Sequence, residues 1–194
     1  MVAQAAEGVA PMNAQPLQAE PTPFQRASAF VLAEEGGNKI TDYPDDPGGL
    51  THWGIALKFH PELTREQLIA MTREQAILIY RDSYWLPGSC FELPDPVCIA
   101  HMDACINLGV GGAAEVLQRA VHVTVDGGIG PITLAAVDSL PAINVAERVI
   151  DQRWFWYVQQ ARTDKTVASR LRGYRNRLNS LREECGLPVY LYTL

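Results

Sequence analysis

A few acidic side chains and one hydroxyl group early in the chain could carry out acid–base hydrolysis. Glu35 directly precedes Gly36-Gly37, where a predicted helix ends, and Asp45, Asp46 and Thr51 follow in a loop. A carboxyl group at the C-terminal end of a helix faces the negative end of the helix dipole, which disfavours its ionisation. Such an acid can protonate a leaving oxygen while a second carboxylate activates water. The pattern predicts that a glutamate at this helix end, Glu34 or Glu35, acts as a general acid, with an aspartate of the loop as the second carboxylate and Thr51 orienting the water.

The same residues also have an ordinary structural interpretation. Glu-Gly-Gly is common at the end of a helix, and Asp46-Pro47-Gly48-Gly49 is by itself a turn sequence. In such a turn Asp46 could brace the backbone through hydrogen bonds and do nothing else. Taken alone, the acidic set does not decide between a hydrolytic site and a structured loop.

Aromatic and amide side chains elsewhere could bind a sugar, because the flat face of an aromatic ring suits the apolar side of a pyranose. The candidates are Trp53, Tyr84, Trp85, Tyr157 and, for an N-acetyl group, Asn107. Each aromatic side chain would fit a hydrophobic core equally well, and Asn107 could simply cap the helix that ends at Gly109. Tyr84 and Trp85 are the better candidates, since they stand at a helix end close to a Pro-Gly turn.

The cysteines favour buried, reduced thiols over a metal centre. There are four of them with no C-x-x-C pair, at Cys90, Cys98, Cys105 and Cys185. Reduced thiols are expected because the N-terminus lacks the positive region of an export signal. A zinc site could use His101, Asp103 and Cys105, but alternate residues on a helix point in different directions. We therefore predict no metal and no cofactor.

Charge is distributed unevenly along the 194 residues. The net charge of −6 argues against nucleic acid or anionic lipid as partners, and no apolar stretch is long enough to predict a membrane span. Residues 161–182 nevertheless carry +6, which leaves −12 on the remainder. Five arginines in this last helix fall largely off its apolar stripe: Arg170, Arg172, Arg175, Arg177 and Arg182. They could hold an anionic surface or form a solvated helix face.

Capping signals and apolar periodicity predict a mainly helical fold of about eight helices, with a short loop or hairpin near residues 38–60. Residues 1–21 are rich in Ala, Pro and Gln and are predicted to be a disordered tail. Thr-x-x-Gln boxes begin helices at Thr22, Thr64 and Thr72, the last of these helices running to about Tyr84. Asp95-Pro96 is predicted to cap the next helix, which should end at Gly109.

The sequence around these candidates resembles that of the glycoside hydrolase family 108 muramidases, from phage endolysins to secretion-associated bacterial lysozymes. The resemblance covers about residues 24–185 and rests on several segments: Glu35-Gly36-Gly37 with Pro44–Ile55, Ile79–Trp85, Ala104–Gly109, Leu117–Ala120 with Val125–Thr133, and Gly173–Arg177. Asn38 stands where the family has tyrosine, and the stretch between Glu35 and Asp46 is slightly longer than usual.

The resemblance implies an α+β lysozyme-like fold and hydrolysis of the β-1,4 bond between N-acetylmuramic acid and N-acetylglucosamine. Glu35 would be the catalytic acid, with Asp46 and Thr51 holding the attacking water. By analogy with phage lysozymes of another family, this arrangement would give inversion. Residues 22–110 would form the catalytic part, and residues 111–194 a C-terminal part resembling a peptidoglycan-binding region, packed into the same globule.

Several expectations about biology follow from the same resemblance. The partner would be the glycan strands of peptidoglycan, and the protein would be a monomer that needs no cofactor and does not insert into membranes. A phage endolysin would wait in the host cytoplasm until its release to the cell wall, whereas a bacterial enzyme would be exported by a secretion system. The alternative function is a non-catalytic peptidoglycan-binding module, which would have no need of the acid, aspartate and threonine together. A peptidase or amidase is disfavoured, since neither zinc ligands nor a Cys/His pair is evident.

Overall fold

The computed structural model describes residues 20–42, 49–190 and 192. These residues form seven α-helices and one small hairpin, which confirms the predicted α+β lysozyme-like class. The helices are α1 (Pro23–Glu34), α2 (Arg65–Ile69), α3 (Arg73–Tyr80), α4 (Val97–Ala120), α5 (Pro131–Asp138), α6 (Ala142–Ala161) and α7 (Lys165–Glu184). The strands are β1 (Thr51–His52) and β2 (Ile55–Ala56). Of the predicted disordered tail, residues 1–19 lie outside the described residues.

The three predicted capping boxes are all present and explain where α1, α2 and α3 begin. At each N-terminus the threonine side chain accepts a hydrogen bond from the glutamine backbone, and the glutamine side chain accepts one from the threonine backbone. Two backbone N–H groups that would otherwise lack partners are thereby satisfied. After α3 the chain continues in a π-helical turn, Arg81–Trp85, so the predicted helix to about Tyr84 is close to the observed one.

Helix α4 is the central helix of the bundle, and it packs against α1, α6 and the turn after α3. It is long and apolar enough to resemble a membrane span by composition, but most of it is buried within the bundle. Gly109, with φ 74°, breaks it at the predicted position, although helical structure resumes directly and the division expected at residue 110 falls inside α4. Asp95 does not cap α4 as predicted, because its carboxylate pairs with Arg26 at 2.8 Å.

The predicted hairpin is present and very short. Strands β1 and β2 pair in antiparallel register around the turn residues Trp53 and Gly54, whose φ angles of 54° and 75° suit a type I′ turn. The Tyr80 hydroxyl donates to the Trp53 carbonyl at 2.9 Å and ties the turn to α3. On the other side, Thr41 and Thr51 exchange backbone hydrogen bonds of 2.9 and 2.8 Å, which brings both ends of the intervening loop together.

The arginines of α7 do not form one solvated face. Arg182 is almost fully buried, and its guanidinium binds Glu147 at 2.6 Å and Asp151 at 3.1 Å on α6. Arg177 also points inward and joins the cluster described below. The expectation of five surface arginines is therefore wrong for these two, because each meets a carboxylate on a neighbouring helix that compensates its charge. Arg170, Arg172 and Arg175 remain at least partly exposed.

Candidate active site

A cleft of about 690 Å³ lies between the end of α1, the hairpin, α3 and α7. It brings together four of the residues predicted from the sequence: Glu35, Thr51, Tyr84 and Asn107. A second concavity of about 550 Å³ continues along α7 and shares Asn107, Arg170, Tyr174 and Arg177 with the first. The result is one elongated groove with Glu35 in its wall, a shape that suits a chain-like ligand.

Glu35 is the residue that ends α1, at φ −82° and ψ 9°, and its side chain is 26% exposed in the cleft. Its position is set closely by the hairpin turn. A Cβ atom on Gly54 would lie only 2.5 Å from the Glu35 Cβ and 2.6 Å from the Tyr80 hydroxyl oxygen. Only glycine allows the turn to approach so closely, and its positive φ of 75° is a second reason for glycine there.

The Glu35 carboxylate is bound by an arginine from the opposite end of the chain. Arg177 on α7 donates from Nη1 to Glu35 Oε1 at 2.7 Å. The same guanidinium donates from Nε and Nη2 to Asp103 Oδ1 at 3.0 and 2.7 Å. Arg177 therefore bridges two carboxylates, one in the cleft and one inside the protein.

Asp103 anchors this cluster from within α4, where it is fully buried. Its other oxygen, Oδ2, accepts from Arg153 Nη1 on α6 at 2.7 Å. Burial alone would raise the pKa of Asp103, but the guanidinium groups of Arg153 and Arg177 more than offset this and hold the pKa below its usual value. The carboxylates of Asp103 and Glu35 raise the pKa of Arg177, and their effect outweighs that of burial, which lowers this pKa. Both oxygens of the buried Asp103 carboxylate are therefore bound by guanidinium groups.

Two tyrosines form the cleft wall next to Glu35. Burial raises the pKa of Tyr80 well above its usual value, and the nearby negative charge of Glu35 raises it further. Burial also raises the pKa of Tyr84, and the negative charge of Glu35 adds a smaller increase. Both phenols are therefore neutral at physiological pH and can donate a hydrogen bond, and their rings lie 5.9 Å apart. Tyr80 uses its hydroxyl to hold the hairpin, whereas Tyr84 faces the cleft.

Thr51 stands at the start of β1 with its side chain on the cleft, where Oγ1 donates to the Gly49 carbonyl at 3.4 Å. The neighbouring His52 is buried, and its ring nitrogens contact the Leu68 carbonyl at 2.8 Å and the Asn38 side chain at 2.7 Å. Asn38, which departs from the family motif, thus ties the chain after Gly36-Gly37 to the hairpin. The predicted second carboxylate, Asp46, and its alternative Asp45 lie outside the described residues.

The other predicted sugar-binding aromatics lie outside the cleft. The Trp53 indole donates to the Met71 carbonyl at 2.9 Å, and Trp85 packs against Phe24 with ring centroids 5.1 Å apart. Tyr157 is buried and stacks on Tyr174 at 4.1 Å. Of the predicted sugar-binding residues, Tyr84 and Asn107 line the groove. Trp53, Trp85 and Tyr157 support the elements around it.

Sequence reasoning missed the cluster that orients Glu35. Asp103 was considered only as a metal ligand, and Arg177 only as a surface charge and as the end of the family-like segment Gly173–Arg177. One signal in the sequence could have found the first of them, because a lone carboxylate inside the apolar run from Val97 to Ala104 requires a cation. Tyr174, which lines both concavities, has the spacing of the apolar stripe of α7 and was otherwise noted only as part of the family-like segment Gly173–Arg177. Its periodicity correctly indicates the buried edge of the helix but gives no sign that this edge borders a cleft.

Comparisons with known proteins agree with this geometry. The family model for glycosyl hydrolase 108 matches residues 28–109. The solved structure of Brucella abortus SagA is similar to this chain with a TM-score of 0.71 and 32% identity, over 84% of this chain and 92% of that chain. A comparison with curated proteins gave no match. The chain belongs to glycosyl hydrolase family 108, and its broad class is that of a glycoside hydrolase.

Proposed function

We propose that this protein is an N-acetylmuramidase, which cleaves the β-1,4 bond between N-acetylmuramic acid and N-acetylglucosamine in peptidoglycan. The observation that carries the proposal is the placement of Glu35 in the wall of an elongated groove, with its carboxylate oriented by Arg177. Membership of a glycoside hydrolase family supports the bond type. The two adjoining concavities, which share four lining residues, support a polymeric glycan as the substrate.

In the proposed reaction, protonated Glu35 donates its proton to the glycosidic oxygen. Arg177 binds Oε1, which makes Oε2 the oxygen that delivers the proton. A guanidinium donates a stronger hydrogen bond to a carboxylate than to a neutral carboxyl group. The contact from Arg177 therefore strengthens as the proton leaves Glu35, and an interaction that is stronger in the transition state than in the ground state accelerates the reaction. Asp103 keeps the guanidinium in place throughout.

The second half of the proposed reaction needs a water molecule and a carboxylate on the other side of the bond. We assign the carboxylate to Asp46, which precedes Thr51 by a few residues, and the orientation of the water to the Thr51 hydroxyl. The position of Thr51 on the cleft, beside the base of the loop, supports this assignment. Comparing Asp46→Asn with Asp45→Asn tests it, because the larger loss of kcat identifies the carboxylate.

Sugar binding is assigned to the residues that line the groove. Tyr84 and Tyr174 each offer an aromatic ring and a hydroxyl group, and Asn107 offers an amide. The Asn107 Nδ2 atom donates to the Asp103 carbonyl at 2.9 Å, which fixes the side chain against α4. An amide held in this way can present its oxygen to the N–H of an N-acetyl group.

The experiment that tests the proposal is digestion of purified sacculi, followed by borohydride reduction and mass spectrometry of the products. New reducing ends on muramic acid are expected with the natural protein, and their loss is expected with Glu35→Gln. Glu183→Gln, an exposed position on α7, is the matched control and should digest normally. Reducing ends on glucosamine, free stem peptides, or binding to sacculi without any cleavage would each overturn the muramidase assignment. Wild-type turnover by Glu35→Gln would overturn the role of Glu35.

A further inference from the structure

Three potential metal ligands meet in the protein interior, away from the groove surface. They are Cys90, at the start of the 3-10 turn Cys90–Glu92, and His101 and Cys105, one helical turn apart on α4. All three residues are fully buried, and their ligand atoms lie within 4.8 Å of one another. Of the zinc set that was considered and disfavoured from the sequence, His101 and Cys105 belong to this cluster, whereas Asp103 faces the arginines and Cys90 arrives from a different element.

The His101 ring has an unused nitrogen in this cluster. Its Nε2 atom lies 3.0 Å from the Gly88 carbonyl oxygen. A carbonyl only accepts, so Nε2 carries the hydrogen and Nδ1 carries the lone pair. Among the described residues Nδ1 is buried and has no hydrogen-bond partner. Leaving a buried acceptor unsatisfied costs roughly 1–3 kcal/mol, which coordination of a cation would recover.

The arrangement around the ring is the one that metal-binding histidines use. A ligating imidazole generally donates its second N–H group to a carbonyl or carboxylate, which fixes the tautomer and the ring orientation. Gly88 provides that carbonyl, and the Gly88 backbone also lies against both thiols. A Cβ atom at Gly88 would be 2.7 Å from Cys105 Sγ and 3.3 Å from Cys90 Sγ. The turn Gly88–Cys90 therefore wraps closely around the ligand atoms.

The other two cysteines, Cys98 and Cys185, are not part of this cluster. Burial raises the pKa of Cys98 to about 11 and that of Cys185 to about 12, as expected of inert thiols in apolar surroundings.

We propose that Cys90, His101 and Cys105 bind one thiophilic d10 cation, Cu⁺ or Zn²⁺, through two sulfur atoms and one imidazole nitrogen. With metal–sulfur bonds of about 2.3 Å and metal–nitrogen bonds of about 2.0–2.1 Å, the ligand atoms would lie roughly 3.5–4 Å apart, within the observed limit. Three ligands suit Cu⁺, whereas Zn²⁺ normally takes a fourth. The cation would enter as the chain folds and would fasten the turn at residues 88–92 to α4.

The test uses the full chain, reduced with a phosphine and handled without oxygen. The protein is loaded with Cu⁺ or Zn²⁺ in separate samples, desalted and analysed for metal by atomic emission. The natural protein should retain about one equivalent of one of the two ions and should unfold at a higher temperature when loaded. Cys90→Ser and Cys105→Ser should lose the ion, and His101→Gln should bind it more weakly. Cys185→Ser is the matched control and should behave like the natural protein.

X-ray absorption of the loaded natural protein provides a measurement that does not depend on whether the variants fold. Two sulfur neighbours and one nitrogen neighbour are expected around the ion. Retention of less than about a tenth of an equivalent by the folded natural protein would overturn the proposal. Equal metal loss in Cys185→Ser, or a coordination shell of oxygen atoms, would overturn it as well. None of these measurements depends on the muramidase assignment.

Discussion

At the scale of single residues, the guanidinium of Arg177 links the cleft to the protein interior. It binds Glu35 on one side and the buried Asp103 on the other, so the Glu35 carboxyl group is oriented by a group that cannot itself move freely. Its Nε and Nη2 groups donate to Asp103, and its Nη1 group donates to Glu35. This arrangement depends on the planar, forked geometry of the guanidinium group as well as on its charge. A lysine has the charge but not this geometry.

Arg177→Lys should therefore lower kcat by roughly 100-fold with little change in KM, because a misplacement of about 1 Å at a reacting group has that effect on rate. Steady-state kinetics on soluble glycan fragments would measure it. Arg175→Lys, two residues away on α7 and not among the residues that line the groove, is the control and should leave kcat unchanged. A parallel rise in KM for Arg177→Lys would instead make Arg177 a sugar-binding residue.

Gly54 affects the position of the Glu35 side chain sterically, because it leaves room for that side chain next to the hairpin turn. A methyl group there would collide with Glu35 Cβ and the Tyr80 hydroxyl, and the positive φ adds strain. We expect Gly54→Ala to lower both stability and activity. Gly186→Ala separates the two effects, because Gly186 has the same φ of 75° but open space around it. It should cost roughly 1–2 kcal/mol of unfolding free energy and leave activity intact. Urea unfolding and turnover, measured on both variants, check this prediction.

At the scale of elements, α4 carries the cluster that holds three helices together. Asp103 lies on α4, Arg153 on α6 and Arg177 on α7, and the bonds among them cross two helix–helix contacts. The site at the end of α1 therefore depends on how α4, α6 and α7 pack. The element order was predictable because caps, prolines and apolar spacing are local signals. The pairing of Asp103 with two arginines was not, since it joins residues 50 and 74 positions apart.

Asp103→Asn should destabilise the protein by about 3–5 kcal/mol, because it leaves buried guanidinium charge without its carboxylate. The pH dependence follows from the lowered pKa of Asp103 in the folded state. Its stabilising contribution is complete above the unfolded value of about 4 and is lost as the pH falls further through the folded value. Unfolding free energies between pH 7 and pH 2 should fall less steeply in Asp103→Asn than in the natural protein. Asp138→Asn, an exposed control, should reproduce the natural slope.

At the scale of the whole molecule, the uneven charge inferred from the sequence is only partly a surface property. Arg177 and Arg182 pair with carboxylates on other elements, so three arginines remain on the surface of α7, and two of them, Arg170 and Arg172, line the groove. The sequence indicated the total charge correctly but could not show which side chains turn inward, since that depends on acids carried by other helices. Likewise, the family motif led to Glu35 and Thr51, whereas the cleft wall from α7 required the folded chain.

We predict that this remaining basic surface binds the carboxylates of peptidoglycan stem peptides. Replacing all three arginines with glutamine should weaken binding to sacculi and flatten its dependence on salt, because exposed charges are screened within about 10 Å at 0.1 M ionic strength. The residues are Arg170, Arg172 and Arg175. Co-sedimentation at increasing salt concentration measures the effect.

A matched variant removes the same number of charges from exposed positions on other parts of the described surface. The control residues are Arg73, Arg148 and Arg162. If both variants lose binding equally, the net charge of the protein is responsible for binding and the basic surface of α7 has no special role. If neither variant changes the salt profile, stem-peptide carboxylates make no contribution to binding.

The contact between Glu35 and Arg177 spans 142 positions of the chain, which has a consequence for synthesis. Because a ribosome releases the N-terminal part first, the acid, the hairpin and most of the cleft emerge long before the arginine that orients the acid. Nascent or prematurely terminated chains would thus lack an ordered acid even where α1 and the hairpin had formed. An engineered fragment ending near residue 110, where the family model stops, would have the same defect. The proposed orientation of Glu35 therefore requires that translation has passed residue 177.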